Sequence, residues 1–511
     1  MGKAPAIIGV CSVILVAMVV AVAVGVTRSR KGGGSDEPTT STKAVQTICQ
    51  PTDYKQACEN SLADTNTTDQ GAHPGGFPSG YPRDKEGCHN SGTIQDAAKD
   101  PMSRQALENC KELISKLDEY VKNLKIWMGG SITYQQTCLD GFVNVSTEAG
   151  EKMRKLMNTS QMLTSNGLAM VSEIPKLVHD LNIPGFGKSD TGGAKRRLMA
   201  KDGFPSWVSF RQRKLLLQNP SQIRPNVVVA KDGWFYNEYV IVDKHMSNVV
   251  IGDGPTRTTI TGRLNFVDGT ATFKTATVAV IGPKFMAKNI RFENSAGAIK
   301  HQAVALKVQG DQSIFHNCQM DGYQDTLYSH SHRQYYRDCT VSGTIDFVFG
   351  DAASVYQNCK FIVRKPLDKQ QCMVTAQGRE DRREDSGFVF QNCTFTGAPD
   401  YLPVKARSKT YLGRPWKIYS RTIIMQSQLD DIVAPDGWMP WEGNFALDTL
   451  WYAEFNNRGP GAVQTNRVKW RGIQKINGVQ AQQFTAGVFL RGGEWIQNAG
   501  VPYIAGMIPG L

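Results

Sequence analysis

Residues 316–360, HNCQMDGYQDTLYSHSHRQYYRDCTVSGTIDFVFGDAASVYQNCK, repeat a theme. HNCQ, RDCT and QNCK place cysteines at 318, 339 and 359, QNCT adds Cys393, and the steps are 21, 20 and 34 residues. Between the cysteines run short β-branched and aromatic stretches separated by Gly, Asn and Asp, the pattern of strands joined by turns. A period near twenty without long amphipathic helices marks stacked rungs, each coil of chain lying on the one before. The expected fold is an all-β right-handed parallel β-helix over 217–511, with one enlarged loop around 365–387 absorbing the long third step. A β-sandwich fits less well, because its turns recur every ~8–12 residues with alternating polarity.

Stacking has a chemical consequence. Asp325 in GYQDTLY and Asp346 in GTIDFVFG are 21 residues apart, one rung. Neighbouring rungs lie about 4.8 Å apart, so the two carboxylates should share one face of a groove. At that range one stays ionised as nucleophile or base, and the other keeps a proton to donate. Asp346 is framed by Ile345, Phe347 and Phe349, where a lone charge is costly. Arg414 in YLGRPW offsets that cost if its guanidinium folds back onto Asp346. Gln324, and Gln302 in HQAVAL, supply amide donors, each worth about 3 kcal/mol when aimed at a developing oxyanion. Trp416 offers a flat apolar face to a sugar ring.

Plainer roles exist for each residue alone: a buried Asp often sits in a structural ion pair, and Gln side chains form ladders inside β-helices. The combination of two Asp, two Gln, an Arg and a Trp favours catalysis. Paired carboxylates would also serve a glycosidase. His301, His316, His330 and His332 form no H-E-x-x-H pattern, no acidic cluster resembles a calcium cage, and no metal or cofactor is expected. Without a G-x-S-x-G elbow, a serine esterase is not indicated.

The 511-residue chain is too long for one ordinary domain and carries a formal net charge of +12. That charge suits an acidic partner. No dense basic tract interleaved with aromatics follows residue 217, where the net is +7, so a polyuronide fits better than nucleic acid. Residues 6–26 form an uncharged apolar run, just long enough for a bilayer, and read as a transmembrane signal anchor within segment 1–39. Sequons at Asn66, Asn144, Asn158 and Asn392 and eleven cysteines fit an exported, oxidising setting.

Residues 40–181 read as helical. Leu107, Cys110, Ile114, Leu117, Val121 and Leu124 recur in steps of three and four and share one face. Cys49–Cys58 and Cys110–Cys138 look like short-range staples. The Gly/Pro-rich stretch 71–82 interrupts the helical pattern. Residues 182–216 form a linker with dibasic pairs Arg196-Arg197 and Arg213-Lys214, suited to a processing protease.

HQAVAL, GYQDTLY, GTIDFVFG and YLGRPW, with PNVVVAKDG before them and GWMPWEGNFALDTLWYAEF after, resemble in order the signature blocks of plant-type pectin methylesterase precursors. The helical region resembles that family's inhibitor-like pro-region, a four-helix bundle. The resemblance implies that Asp346 attacks the methyl ester of a galacturonate, and that Gln324 with Gln302 stabilises the oxyanion. It implies that Asp325 protonates methanol and then activates water, while Arg414 anchors Asp346. Thr272, Gln302, Arg414 and Trp416 would line the substrate groove, and Cys318–Cys339 would be a disulfide. The implied partners are pectin, a subtilisin-like processing protease and proteinaceous inhibitors; the implied location is the cell wall, reached by a membrane-anchored precursor. Asp232-Gly233 runs directly into Trp234 where the family pattern has roughly one more rung of chain, which predicts an open apolar edge on the first rung. Two rival functions follow: an impaired chain whose helical region inhibits other enzymes, and a pectin-cleaving glycosidase or lyase.

Overall fold

The computed structural model describes residues 45–46, 49–64, 101–142, 147–180, 227–228, 235–243, 249–497 and 499–511. The chain divides into two compact units, one of Met1–Lys125 with Ser146–Thr191, the other of Ile126–Val145 with Gly192–Leu511.

The second unit is a parallel β-helix. Its first rung comprises β1 (Val227–Val228), β2 (Phe235–Asn237) and β3 (Val240–Val242). These pair in parallel with Val249–Ile251, Thr259–Gly262 and Val278–Val280 of the next rung. Among the described residues this plan repeats into three parallel sheets of ten, eight and seven strands. The short Asp232–Trp234 junction therefore still allows a three-strand first rung. On β3 Val242 faces the core and Ile241 is 67% exposed.

The repeat is legible in the core. Phe315, Tyr336, Tyr356 and Phe390 occupy equivalent register positions on successive rungs. Their rings stack at 5.0, 4.7 and 4.7 Å. Asn317, Asp338, Asn358 and Asn392 all take positive φ at the corner before each cysteine, a conformation that Asn and Asp tolerate better than most side chains. Asn317 donates to Asn289 at 2.7 Å and Asn392 to Asn358 at 3.3 Å, so the corners ladder as well.

Several expectations need correction. The stretch 365–387 is not one loop: strand Cys372–Gln377 lies inside it, buried at all six residues, and joins the seven-stranded sheet. Its apolar start completes a rung, leaving a short excursion on each side. Cys318 and Cys339 are not joined. They point into the core with Cys359 and Cys393, and each thiol donates to a backbone carbonyl, as Cys339 does to Phe315 at 3.4 Å. The membrane anchor is also not retained. No helix among the described residues is long and apolar enough to cross a membrane, and 6–26 lies outside them. Both dibasic pairs lie outside them too, and the protease-processed, membrane-anchored precursor goes with the anchor.

Among the described residues the first unit contains helices α1 (Lys55–Asp64), α2 (Pro101–Asp140) as far as Lys125, and α3 (Glu148–Asp180). Cys49 and Cys58 are bonded. Asn166 of α3 accepts from the Tyr54 amide at 3.2 Å and donates to the Tyr54 carbonyl at 2.9 Å. Cys138 carries a free thiol, so the second staple does not form; the Cys110 side chain and segment 71–82 lie outside the described residues.

Candidate active site

The two aspartates stand at equivalent corners of adjacent rungs. Strands Leu327–Ser329 and Val348–Gly350 pair with Leu327 opposite Val348, which sets Asp325 against Asp346 in register. The Asp325 amide donates to the Ile345 carbonyl at 3.0 Å. Both residues have positive φ, 63° and 50°. Such corners are strained for a side chain, and here they turn both carboxyls out of the strand pattern at one point.

Arg414 follows strand Thr410–Gly413, two rungs beyond Val348–Gly350. Its Nε donates to Asp346 Oδ1 at 2.9 Å and its Nη2 to Oδ2 at 2.6 Å. This fork fixes the orientation of the carboxylate. Asp325 and Asp346 are 8% and 5% exposed. Burial lifts the Asp325 carboxyl well above the ordinary carboxylate range; the Asp346 charge adds to the lift and Arg414 opposes it. Burial also raises Asp346, but the Arg414 charge and hydrogen bonds pull it back. The guanidinium therefore separates the pair: Asp346 is the readier anion and Asp325 the readier acid.

Gln324 is the chain neighbour of Asp325, and its carbonyl accepts from the Ala303 amide at 3.2 Å. That bond places Gln302, next to Ala303, one rung away. Both glutamines are half-buried. Thr272 opens the 3-10 turn Thr272–Lys274, beside Phe273. Trp416 meets Phe349 at 5.9 Å and Tyr328 at 6.4 Å. Asp325, Asp346 and Arg414 thus form one electrostatic cluster, with Gln324 and Trp416 linked to it by chain and ring contacts. Gln302 adjoins through backbone pairing, and Thr272 only through its neighbour Phe273. Among the described residues no group of His, Cys, Asp and Glu could hold a metal ion.

Sequence reasoning missed the aromatic floor. Tyr328 stacks on Phe349 at 4.1 Å, and Phe273 meets Tyr328 edge-on at 6.4 Å. Arg414 lies 4.2 Å over the Trp441 ring. The signal was available, since Tyr328 and Phe349 are one rung apart in the same two motifs that hold the aspartates.

A helical strap was missed as well. Residues 126–140 of α2 belong to the β-helix unit. Thr133 donates to Asp351 at 2.8 Å, Thr137 lies 2.9 Å from His330 Nε2, and Lys417 pairs with Asp140 at 2.7 Å. Tyr134 stacks on His330 at 5.3 Å. Burial pulls the His330 imidazole down to about 3, so it packs as a neutral ring. At Gly130 any Cβ would run into the His332 ring; glycine is what lets the strap close there.

A family profile described as Pectinesterase matches residues 198–493, and one described as Plant invertase/pectin methylesterase inhibitor matches 88–170. The chain is 46% identical, over 99% of its length and 75% of the relative's, to the putative pectinesterase/pectinesterase inhibitor 28 of Arabidopsis thaliana. It is 47% identical to the probable pectinesterase/pectinesterase inhibitor 21 of that plant, over 99% of its length and 82% of the relative's. The solved pectin methylesterase from carrot shares 44% identity and a TM-score of 0.54, covering 58% of this chain and 93% of the carrot chain. The chain therefore belongs to the plant-type pectinesterase family, with an inhibitor-like region ahead of a pectinesterase domain.

Proposed function

We propose that this chain hydrolyses the methyl esters of polygalacturonate in the cell wall, giving methanol and de-esterified pectin, with Asp346 as nucleophile and Asp325 as acid and base. The observation that carries this reading is the forked Arg414–Asp346 pair beside a second buried carboxyl whose proton affinity burial raises.

The Asp346 carboxylate attacks the ester carbonyl carbon, and the carbonyl oxygen takes the negative charge. Gln324, with Gln302, offers amide N–H groups to that oxyanion. As the tetrahedral centre collapses, the bond to the methoxy oxygen breaks, and Asp325 gives its proton to the departing methanol. An acyl–Asp346 anhydride remains. Asp325, now a carboxylate, takes a proton from water as the water oxygen attacks the acyl carbon. The sugar leaves as a free acid, Asp346 regains its charge and Asp325 its proton. The fixed guanidinium lowers the reorganisation needed at each step. Trp416 supplies a ring face for a sugar, backed by the buried Tyr328 and Phe349, with Thr272 at the groove margin.

The strap supports an inhibitory role for the N-terminal region, because Asp140 ties up Lys417 beside Trp416. Methanol release from esterified polygalacturonate by the full chain tests the esterase reading. Shortening of the polymer without methanol would favour a glycosidase or lyase instead. Failure to release methanol, with inhibition of a separate pectinesterase, would favour the impaired-inhibitor reading.

A further inference from the structure

The corner 322–325, Gly-Tyr-Gln-Asp, carries both the oxyanion donor and the acid of the esterase reading. Backbone bonds tie it to the adjacent rung. The Gly322 amide donates to the Ser342 carbonyl at 3.2 Å and the Asp325 amide to Ile345 at 3.0 Å, while the Tyr323 carbonyl accepts from the Thr344 amide at 2.9 Å. The turn is tight: a Cβ on Gly322 would come within 2.7 Å of Thr326 Oγ1. None of these bonds holds the Gly322 carbonyl or the Tyr323 ring. Arg364 holds both. It follows strand Lys360–Val363, which pairs with Thr340–Gly343, which pairs in turn with Gln319–Asp321 just before the corner. Arg364 therefore starts two rungs away. Its amide donates to Gly343 at 2.8 Å, and its side chain folds back across the intervening rung. Nη1 donates to the Gly322 carbonyl at 2.9 Å and Nη2 to the Tyr323 hydroxyl at 2.8 Å. The guanidinium carbon lies 3.9 Å from the centre of the Tyr323 ring. Resting on the esterase reading for what the corner does, we propose that Arg364 is a positioning residue, which staples the turn at 322–323 and thereby sets the aim of the Gln324 amide.

The chemistry of the guanidinium suits this task. Its planar fork serves a carbonyl and a hydroxyl at once while its face covers the ring, which a single ammonium cannot do. Donors that carry charge bond more strongly than neutral ones. The staple also crosses rungs that backbone pairing joins only one to the next, so it stiffens the corner where the register alone would let it rock. Stiffness matters here because Gln324 follows Tyr323 directly. An oxyanion donor works when it meets the oxygen at about 2.7–3.1 Å, and a misplacement of about 1 Å is enough to cost on the order of 10²-fold. Arg364 acts through Gln324 and not on the substrate.

The test is a double-mutant cycle on methanol release by the full chain. Arg364→Ala should lower kcat roughly 10- to 100-fold, with KM changed less than about twofold. In a Gln324→Ala background the same substitution should cost less than about threefold, because the group it aims is gone. Arg364→Lys keeps the charge and loses the fork, so it should recover only part of the loss. Tyr323→Phe, which removes one anchor and leaves the rest of the fold alone, should show the same dependence on Gln324 with a smaller loss of roughly two- to fivefold. Equal losses with and without Gln324 would overturn the proposal, since general loosening of the scaffold is additive; so would a wild-type kcat in Arg364→Ala. Hydrogen exchange of the full chain needs no turnover and stands apart from the esterase reading. In Arg364→Ala, and to a lesser degree in Tyr323→Phe, the Gly322 and Asp325 amides should exchange at least about tenfold and twofold faster than in wild type, respectively, while strand Ala353–Gln357 keeps its protection. Unchanged exchange at the corner would overturn the proposal. Absence of methanol release by the wild-type chain would remove the esterase reading, while the exchange series would still decide whether Arg364 holds the corner.

Discussion

At the residue scale the account rests on a division of labour between two carboxyls that Arg414 holds apart in proton affinity. Gln324→Ala should lower kcat about 10²- to 10³-fold with a smaller change in KM, because an oxyanion donor acts mainly in the transition state. Steady-state methanol release checks this, and a pure KM effect would contradict it. Burial raises both aspartates, Asp325 further. Activity needs Asp346 ionised and Asp325 protonated. The rate should fall on the acid side as Asp346 gains a proton, and on the alkaline side as Asp325 loses one, with limbs belonging to the pair. A pH profile of kcat that rises without an alkaline limb would contradict the assignment. Removing the guanidinium leaves Asp346 buried and unpaired. Arg414→Ala should therefore cost about 3–5 kcal/mol in denaturant unfolding, and adding Asp346→Asn should recover part of that. Much of this site was legible in sequence, since the 21-residue spacing brings Asp325 and Asp346 into register and two apolar neighbours call for a counter-charge. The fork geometry was not legible, because Arg414 arrives from two rungs away across a stretch of irregular length.

At the element scale the repeat explains both a success and an error. Asn-Cys and Asp-Cys corners reveal the rung period, because a positive-φ residue and an inward thiol recur together. The same periodicity undoes the expected Cys318–Cys339 bridge: four cysteines occupy one interior position, and each thiol bonds a backbone carbonyl. Alkylation of the unfolded, unreduced chain followed by peptide mass mapping should label Cys318, Cys339, Cys359 and Cys393 and spare Cys49 and Cys58. A disulfide-linked 318–339 peptide would contradict this. The strap was hidden for a different reason. Helical periodicity runs continuously through α2, and nothing in it marks residue 126 as the point where the helix changes company. Thr133→Val combined with Asp140→Asn removes one hydrogen bond and one ion pair to the β-helix. Each is worth about 1 kcal/mol, so initial methanol release by the full chain should rise several-fold. An unchanged rate would show that the strap does not restrain the site.

At the scale of the whole molecule, sequence texture separated a helical region from a β-helix because the two have different hydrophobic periods. The seam was blurred, since residues 126–140 are helical yet group with the β unit. The first rung shows how little chain a rung requires: strands of two or three residues suffice when a complete rung lies against them. The stack above it then carries the site on a rigid, fully paired scaffold, in which side chains from rungs 21 residues apart cannot drift independently. The most direct test of the central claim is methanol release by Asp346→Asn in the full chain, beside wild type of matched thermal stability. The account predicts a loss of at least about 10³-fold, as expected when a nucleophile is removed. Retention of more than about a tenth of the wild-type rate would contradict it.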